Sequence, residues 1–135
     1  MNESLIAGTE LTERHVVDKD RTIDFMGDEC RVYATPFLLY DIEMTCRNLL
    51  MEHCEAGEDS VGTHVELTHT GPTLLGMWVD ITVTVTEVKG RAVSFDITAR
   101  DALEQVATGK HSRFVVDVDT TAQRLKGKLA KAQAL

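Results

Sequence analysis

The alternation of apolar and polar positions divides the chain into one helix and a run of strands. Across residues 36–53, Leu38, Leu39, Ile42, Cys46, Leu49 and Leu50 recur at three- and four-residue steps, which lines them along one side of an α-helix. Thr35 stands where an N-cap belongs, and Pro36 takes the first helical position, where a missing N–H is tolerated. The polar run Glu55-Ala56-Gly57-Glu58-Asp59 then stops the helix.

Beyond Gly62 the period shortens to two. Residues 62–70 read as a strand with Val65, Leu67 and His69 on one face, ended by Gly71-Pro72 because proline cannot donate to a ladder. Residues 78–88 alternate Val79, Ile81, Val83 and Val85 with Asp80, Thr82, Thr84 and Thr86. Val88-Lys89-Gly90-Arg91 predicts a tight hairpin turn, and residues 92–100 return with Val93, Phe95, Ile97 and Ala99 inward. A last strand follows over about 105–118, where Gly109 predicts a bulge or bend. Residues 10–17 supply one more strand, whereas 18–34 show no period. The fold class expected is α+β: an antiparallel sheet of about five strands, wet on one face, wrapped around one central helix. Residues 1–135 form a single domain in this reading, with 120–135 as a basic C-terminal helix or tail.

Composition narrows the function classes. An apolar fraction of 43% suffices for one core, and no run approaches the roughly 20 apolar residues of a membrane span. Residues 1–10 are acidic and lack an apolar stretch, so no leader is expected. Of 14 Lys and Arg, four (Arg124, Lys126, Lys128 and Lys131) lie in 120–135 with no acid beside them. The other 10 face 22 acids, so residues 1–119 carry −12 within an overall −8. Such a body repels phosphate backbones, which argues against a nucleic-acid partner. Cys30, Cys46 and Cys54 are odd in number and form no CxxC pair, which fits a reducing, cytoplasmic compartment. The five histidines show no HxxxH or HExxH spacing, so no metal is expected; the expectation for cofactors is likewise none.

Three residues stand out. Glu43 falls on the apolar stripe, four after Leu39 and three before Cys46, where a carboxylate needs a partner, a task, or a route to solvent at the margin. His69 extends the Val65–Leu67 face; it is either a hydrogen-bonded core residue or a proton-transfer group. Thr35 has an ordinary capping role open to it, at a helix start suited to a developing oxyanion. Thr35 and Glu43 are about two helical turns apart, roughly 12 Å of rise. They meet only by lining one cleft at different heights or across a subunit boundary.

The string Ala34-Thr35-Pro36-Phe37, with Glu43 eight residues after the threonine, precedes Gly57-Glu58-Asp59-Ser60-Val61-Gly62-Thr63-His64-Val65-Glu66-Leu67-Thr68-His69-Thr70. Together they resemble the fluoroacetyl-CoA thioesterase-like branch of the hotdog superfamily. The likeness runs on through Thr82-Val83-Thr84-Val85 and Gly109-Lys110-His111, covering about residues 30–118. The resemblance implies a hotdog fold and an acyl-CoA thioesterase acting on a small or medium acyl group. It implies acyl-CoA sites at the interface of a homodimer, which can pair further into a tetramer. It assigns the chemistry to Thr35, Glu43 and His69 and the glycine that approaches the thioester to Gly62; Thr63, Phe37 and Tyr33 are further candidates for substrate contact. The branch's aromatic lid has no counterpart in Phe25-Met26-Gly27-Asp28-Glu29-Cys30-Arg31-Val32-Tyr33, so fluoroacetate specificity is not expected. Arg91, Arg100, Lys110 and Arg113 are the cations available for CoA phosphates. The alternatives are a non-catalytic acyl-CoA-binding hotdog module and an enoyl-CoA hydratase, whose usual loop signature is not evident.

Overall fold

A computed structural model describes all residues, 1–135. Five antiparallel strands, β1 (Glu10–Val16), β2 (Glu58–His69), β3 (Trp78–Lys89), β4 (Ala92–Arg100) and β5 (Gln105–Asp117), form one sheet in the order β1-β3-β4-β5-β2. One helix, α1 (Thr35–Met51), lies against its concave face, and a second, α2 (Val118–Gln133), follows β5. The inward members of the period-two pattern, Val79, Ile81, Val83, Val85, Val93, Phe95, Ile97 and Ala99, are all buried. They meet Leu38, Ile42, Cys46, Leu49 and Leu50 of α1 in a single core. Fully burying each of these larger side chains contributes about 1.5–3 kcal/mol, which is why one apolar stripe suffices to seat the helix.

The opposite face stays wet. Thr12, Thr82, Thr98, Thr108 and Thr68 sit in register across all five strands, one threonine per strand. β-branched residues suit a pleated surface, and the hydroxyls keep it hydrated; Thr12 and Thr82 hydrogen-bond at 2.8 Å.

Two expectations about local structure are corrected. The N-cap of α1 is Ala34, in extended conformation and without a side-chain cap bond; Thr35 is already helical and its hydroxyl is free for another partner. Gly109 does not bulge. It pairs with Leu67 and Ile97 in regular ladders, and its lack of a side chain admits the neighbouring strand: a Cβ there would lie 2.2 Å from the Glu66 carbonyl oxygen. The register shift falls instead between Gly62 and His64 of β2. The predicted hairpin is present, with Gly90 at φ 62° inside the turn that joins Lys89 to Ala92.

β2 starts earlier than its alternation suggested, because Arg47 of α1 holds Asp59 through two bonds of 2.9 and 2.7 Å. It is an edge strand of twelve residues without proline, and Val61 and Val65 on it are exposed. Such an edge is a ready template for another strand.

Candidate functional site

At the start of α1, Thr35 Oγ1 lies 2.9 Å from His69 Nδ1 at the end of β2. The hydroxyl reaches across because it is not occupied by capping. His69 Nε2 is buried and has no hydrogen-bond partner. Burial holds the His69 pKa below the usual imidazole value, with the Gly71 backbone partly opposing, so the ring is neutral near pH 7. Both residues open onto a cleft of about 360 Å³, walled by Ile23, Val32 and Tyr33 on one side and Thr70, Gly71 and Pro72 on the other.

Glu43 lies about two turns further along α1 and faces a different cleft, with Gly62, Thr63, His64, Val65 and His111. Its side chain is 39% exposed, and Oε1 stands 4.0 Å from His111 Nε2. Gly62 is pressed against this group: a Cβ there would sit 2.8 Å from Glu43 Oε1 and 3.2 Å from His111 Cε1. Any side chain at this position would have to displace the Glu43 carboxylate.

Beneath Gly62 lies a buried polar pair. His111 and Arg113 point inward from β5 and are almost fully buried. The Nδ1 of His111 lies 2.8 Å from the His64 carbonyl, a partner that requires the proton on Nδ1. Nε2 then accepts from Arg113 Nη1 at 3.2 Å. Arg113 also donates to Ser60 Oγ and to the Ser60 carbonyl, both at 2.8 Å. Burial lowers the pKa of His111 and of Arg113. The pair pins β2 on both sides of its register shift, which fixes where Gly62 stands relative to Glu43.

The structure thus joins Thr35 to His69, and Glu43 to Gly62 and Thr63, but does not bring these two groups together within one chain. Tyr33 lines the Thr35–His69 cleft, with its hydroxyl turned away to Asp41. Phe37 is exposed in a separate apolar groove with Pro36, Tyr40, Asp20 and Arg21. Among the cations considered for CoA phosphates, Arg113 is buried, while Arg91 pairs with Glu58 and Lys110 with Asp96, each at 2.9 Å. The sequence reading missed the structural parts of His111, Ser60 and Asp41. His111 was legible in one respect: it alternates in phase with Arg113 and Val115 on the inward face of β5. No group of three or more His, Cys, Asp or Glu side chains converges as metal ligands would.

A five-stranded antiparallel sheet curled about one central helix is the hotdog fold. A thioesterase superfamily member from Thermus thermophilus shares the fold, with a TM-score of 0.86 at 22% identity over 96% of this chain and 97% of that one. Residues 17–119 match the sequence profile of a family described as "FlK: Fluoroacetyl-CoA-specific thioesterase", and the chain belongs to that family. The fluoroacetyl-CoA thioesterase of Streptantibioticus cattleyicolor is 27% identical over 95% of this chain and 97% of its own length. The crystal structure of a variant of the fluoroacetyl-CoA-specific thioesterase FlK superposes with a TM-score of 0.86 at 26% identity, covering 94% of this chain and 99% of that one.

Proposed function

We propose that this protein hydrolyses small or medium acyl-CoA thioesters to the free acid and CoA, with Thr35, Glu43 and His69 as its chemical residues. The observation that carries the reading is the Thr35–His69 hydrogen bond beside a buried, unpartnered His69 Nε2 in a chain of the thioesterase family. A hydroxyl donating to Nδ1 leaves the proton on Nε2. In this reading that proton serves the thioester carbonyl or the departing sulfur once substrate occupies the cleft beside the ring. Glu43 activates a water molecule for attack on the thioester carbon, or attacks it directly to give a mixed anhydride that water opens. In either case the C–S bond breaks and the thiolate leaves as CoA after taking up a proton. The Gly62 N–H is the leading donor to the oxyanion, since no side chain blocks approach.

The active assembly in this reading is a homodimer, paired along the free edge of β2. Gly62 and His69 are seven residues apart on that strand, roughly 20 Å, too far to serve one thioester. A two-fold axis near Val65 would set Gly62 and Glu43 of one copy opposite His69 and Thr35 of the other. The exposed Val61 and Val65 would be covered by the same contact. Phe37, Thr63 and Tyr33 are assigned to substrate contact around the shared cleft, and the location is assigned to the cytoplasm.

The test is CoA release, followed with a thiol reagent, from short-, medium- and aryl-acyl-CoA esters by wild type, Glu43→Ala and His69→Ala. A loss of about 10²-fold or more in folded variants is the expected result. Ester binding without release would instead identify a binding module, and water addition to an enoyl-CoA without release a hydratase.

A further inference from the structure

Residues 18–34 have no periodic pattern, yet they form one wall of the Thr35–His69 cleft. Backbone bonds tie Tyr33 to Thr73 and Arg31 to Leu75, and a buried carboxylate anchors the segment to α1. Asp41 of α1 is 2% exposed and accepts from Arg21 Nε at 2.9 Å and Arg21 Nη2 at 3.2 Å. It also accepts from the Tyr33 hydroxyl, and His15 Nδ1 of β1 lies 3.8 Å away. Arg21 further donates to Asp18 at 2.7 Å. Burial, with the Asp41 contact, pushes the Tyr33 phenol pKa upward, so the hydroxyl keeps its proton.

The backbone joins the same two stretches of chain. Ala34 N–H donates to the Arg21 carbonyl at 2.8 Å, Ile23 N–H to the Val32 carbonyl at 3.1 Å, and Thr22 bridges Tyr33. Arg21 and Tyr33 therefore close the base of a loop from opposite sides, and Asp41 fastens both to the helix that carries Thr35 and Glu43. An apolar cluster of similar volume would stabilise a fold equally well. What an ion cluster adds is geometric definition, because a bidentate guanidinium and a phenol accept only one placement of the carboxylate. The wall residues Ile23, Val32 and Tyr33 inherit that placement.

We propose that Asp41, with Arg21 and the Tyr33 hydroxyl, is a specificity-determining clamp that fixes the Ile23–Val32–Tyr33 wall of the cleft and thereby sets the size of acyl group admitted. Asp41 and Arg21 are positioning residues, remote from the reacting atoms. The inference rests on the thioesterase reading for its substrate, and its test is built to separate the two.

Wild type, Tyr33→Phe and Asp41→Asn are compared for kcat and KM on a series of straight-chain acyl-CoA esters. Amide hydrogen exchange at Ile23, Tyr33 and Ala34 is followed in the same proteins. Tyr33→Phe removes one hydroxyl and keeps the ring in place, so it reports even if Asp41→Asn fails to fold. The expected result is faster exchange at those amides and a rise in KM for the shortest ester. The ratio of kcat/KM should shift by about tenfold toward longer chains, the scale of one or two methylenes in a pocket. A uniform loss on every ester, or an unchanged ratio, overturns the clamp. If wild type releases no CoA from any ester, the thioesterase reading fails. The same series is then read as Kd by calorimetry, where a chain-length shift in Tyr33→Phe supports the clamp and an unchanged profile overturns it.

Discussion

Thr35 and His69 are 34 residues apart in sequence and 2.9 Å apart between Oγ1 and Nδ1. The contact exists because Ala34, not Thr35, occupies the N-cap, which leaves the hydroxyl pointing at the end of β2. Thr35→Val should therefore lower kcat by about 10–10², while Thr35→Ser retains most of the rate. His69→Ala should cost about 10²–10⁴. Steady-state CoA release checks all three, and equal activity of Thr35→Val and wild type would remove the hydroxyl from the chemistry.

Two glycines separate site from scaffold. Gly62→Ala drives a methyl to within 2.8 Å of Glu43 Oε1. The far end of a flexible side chain can yield, so the fold should persist while activity drops about tenfold or more. Gly109→Ala meets the Glu66 backbone at 2.2 Å, which cannot yield without spreading β2 from β5. Its cost should be about 1–3 kcal/mol, as for overpacking elsewhere. Urea unfolding and turnover, measured on both variants, should show opposite sensitivities.

The buried imidazoles make stability depend on pH. His69 and His111 have pKa values held by burial below their ordinary value near 6.5. In the window between the folded and unfolded values, the unfolded chain binds more protons, so stability rises with pH there. The contribution is complete above about pH 6.5 and is lost as pH falls through the lowered folded values. Urea midpoints should decline as pH falls from 7 to 5. His111→Gln should flatten that slope while lowering stability throughout, because Arg113 and the His64 carbonyl lose their shared imidazole partner. An unchanged slope would mean that His111 titrates normally.

The sheet was legible where one face is buried. Val93, Phe95, Ile97 and Ala99 alternate strictly, and β4 spans the predicted 92–100. The helix was legible for the same reason, since Leu38, Ile42, Cys46, Leu49 and Leu50 are all buried. Segment 18–34 was not, because it is held by Arg21, Asp41 and Tyr33 and by single backbone bridges rather than by a ladder. Burial of Asp41 and Arg113 depends on partners distant in sequence, which no local period records. Glu43 was singled out as an anomaly on the stripe; in the structure it is half-buried beside Gly62. Its separation from Thr35 followed from the helical rise alone.

The free edge of β2 should govern assembly. Val65→Lys places a charge on an exposed apolar position of the edge strand, a substitution that discourages strand pairing. Sedimentation should show a dimer for wild type and a monomer for the variant, with activity lost in parallel. Full activity in a monomer would overturn pairing along β2 as the basis of the site.

The central claim is that Glu43 and His69 act on one thioester from two copies of the chain. It is tested most directly by unfolding Glu43→Ala and His69→Ala together and refolding the mixture. Each variant alone should be inactive. Half of the mixed dimers should be heterodimers with one intact site each, restoring about a quarter of wild-type CoA release. No recovery in a mixture shown to exchange subunits would contradict a shared site and return both residues to a single chain.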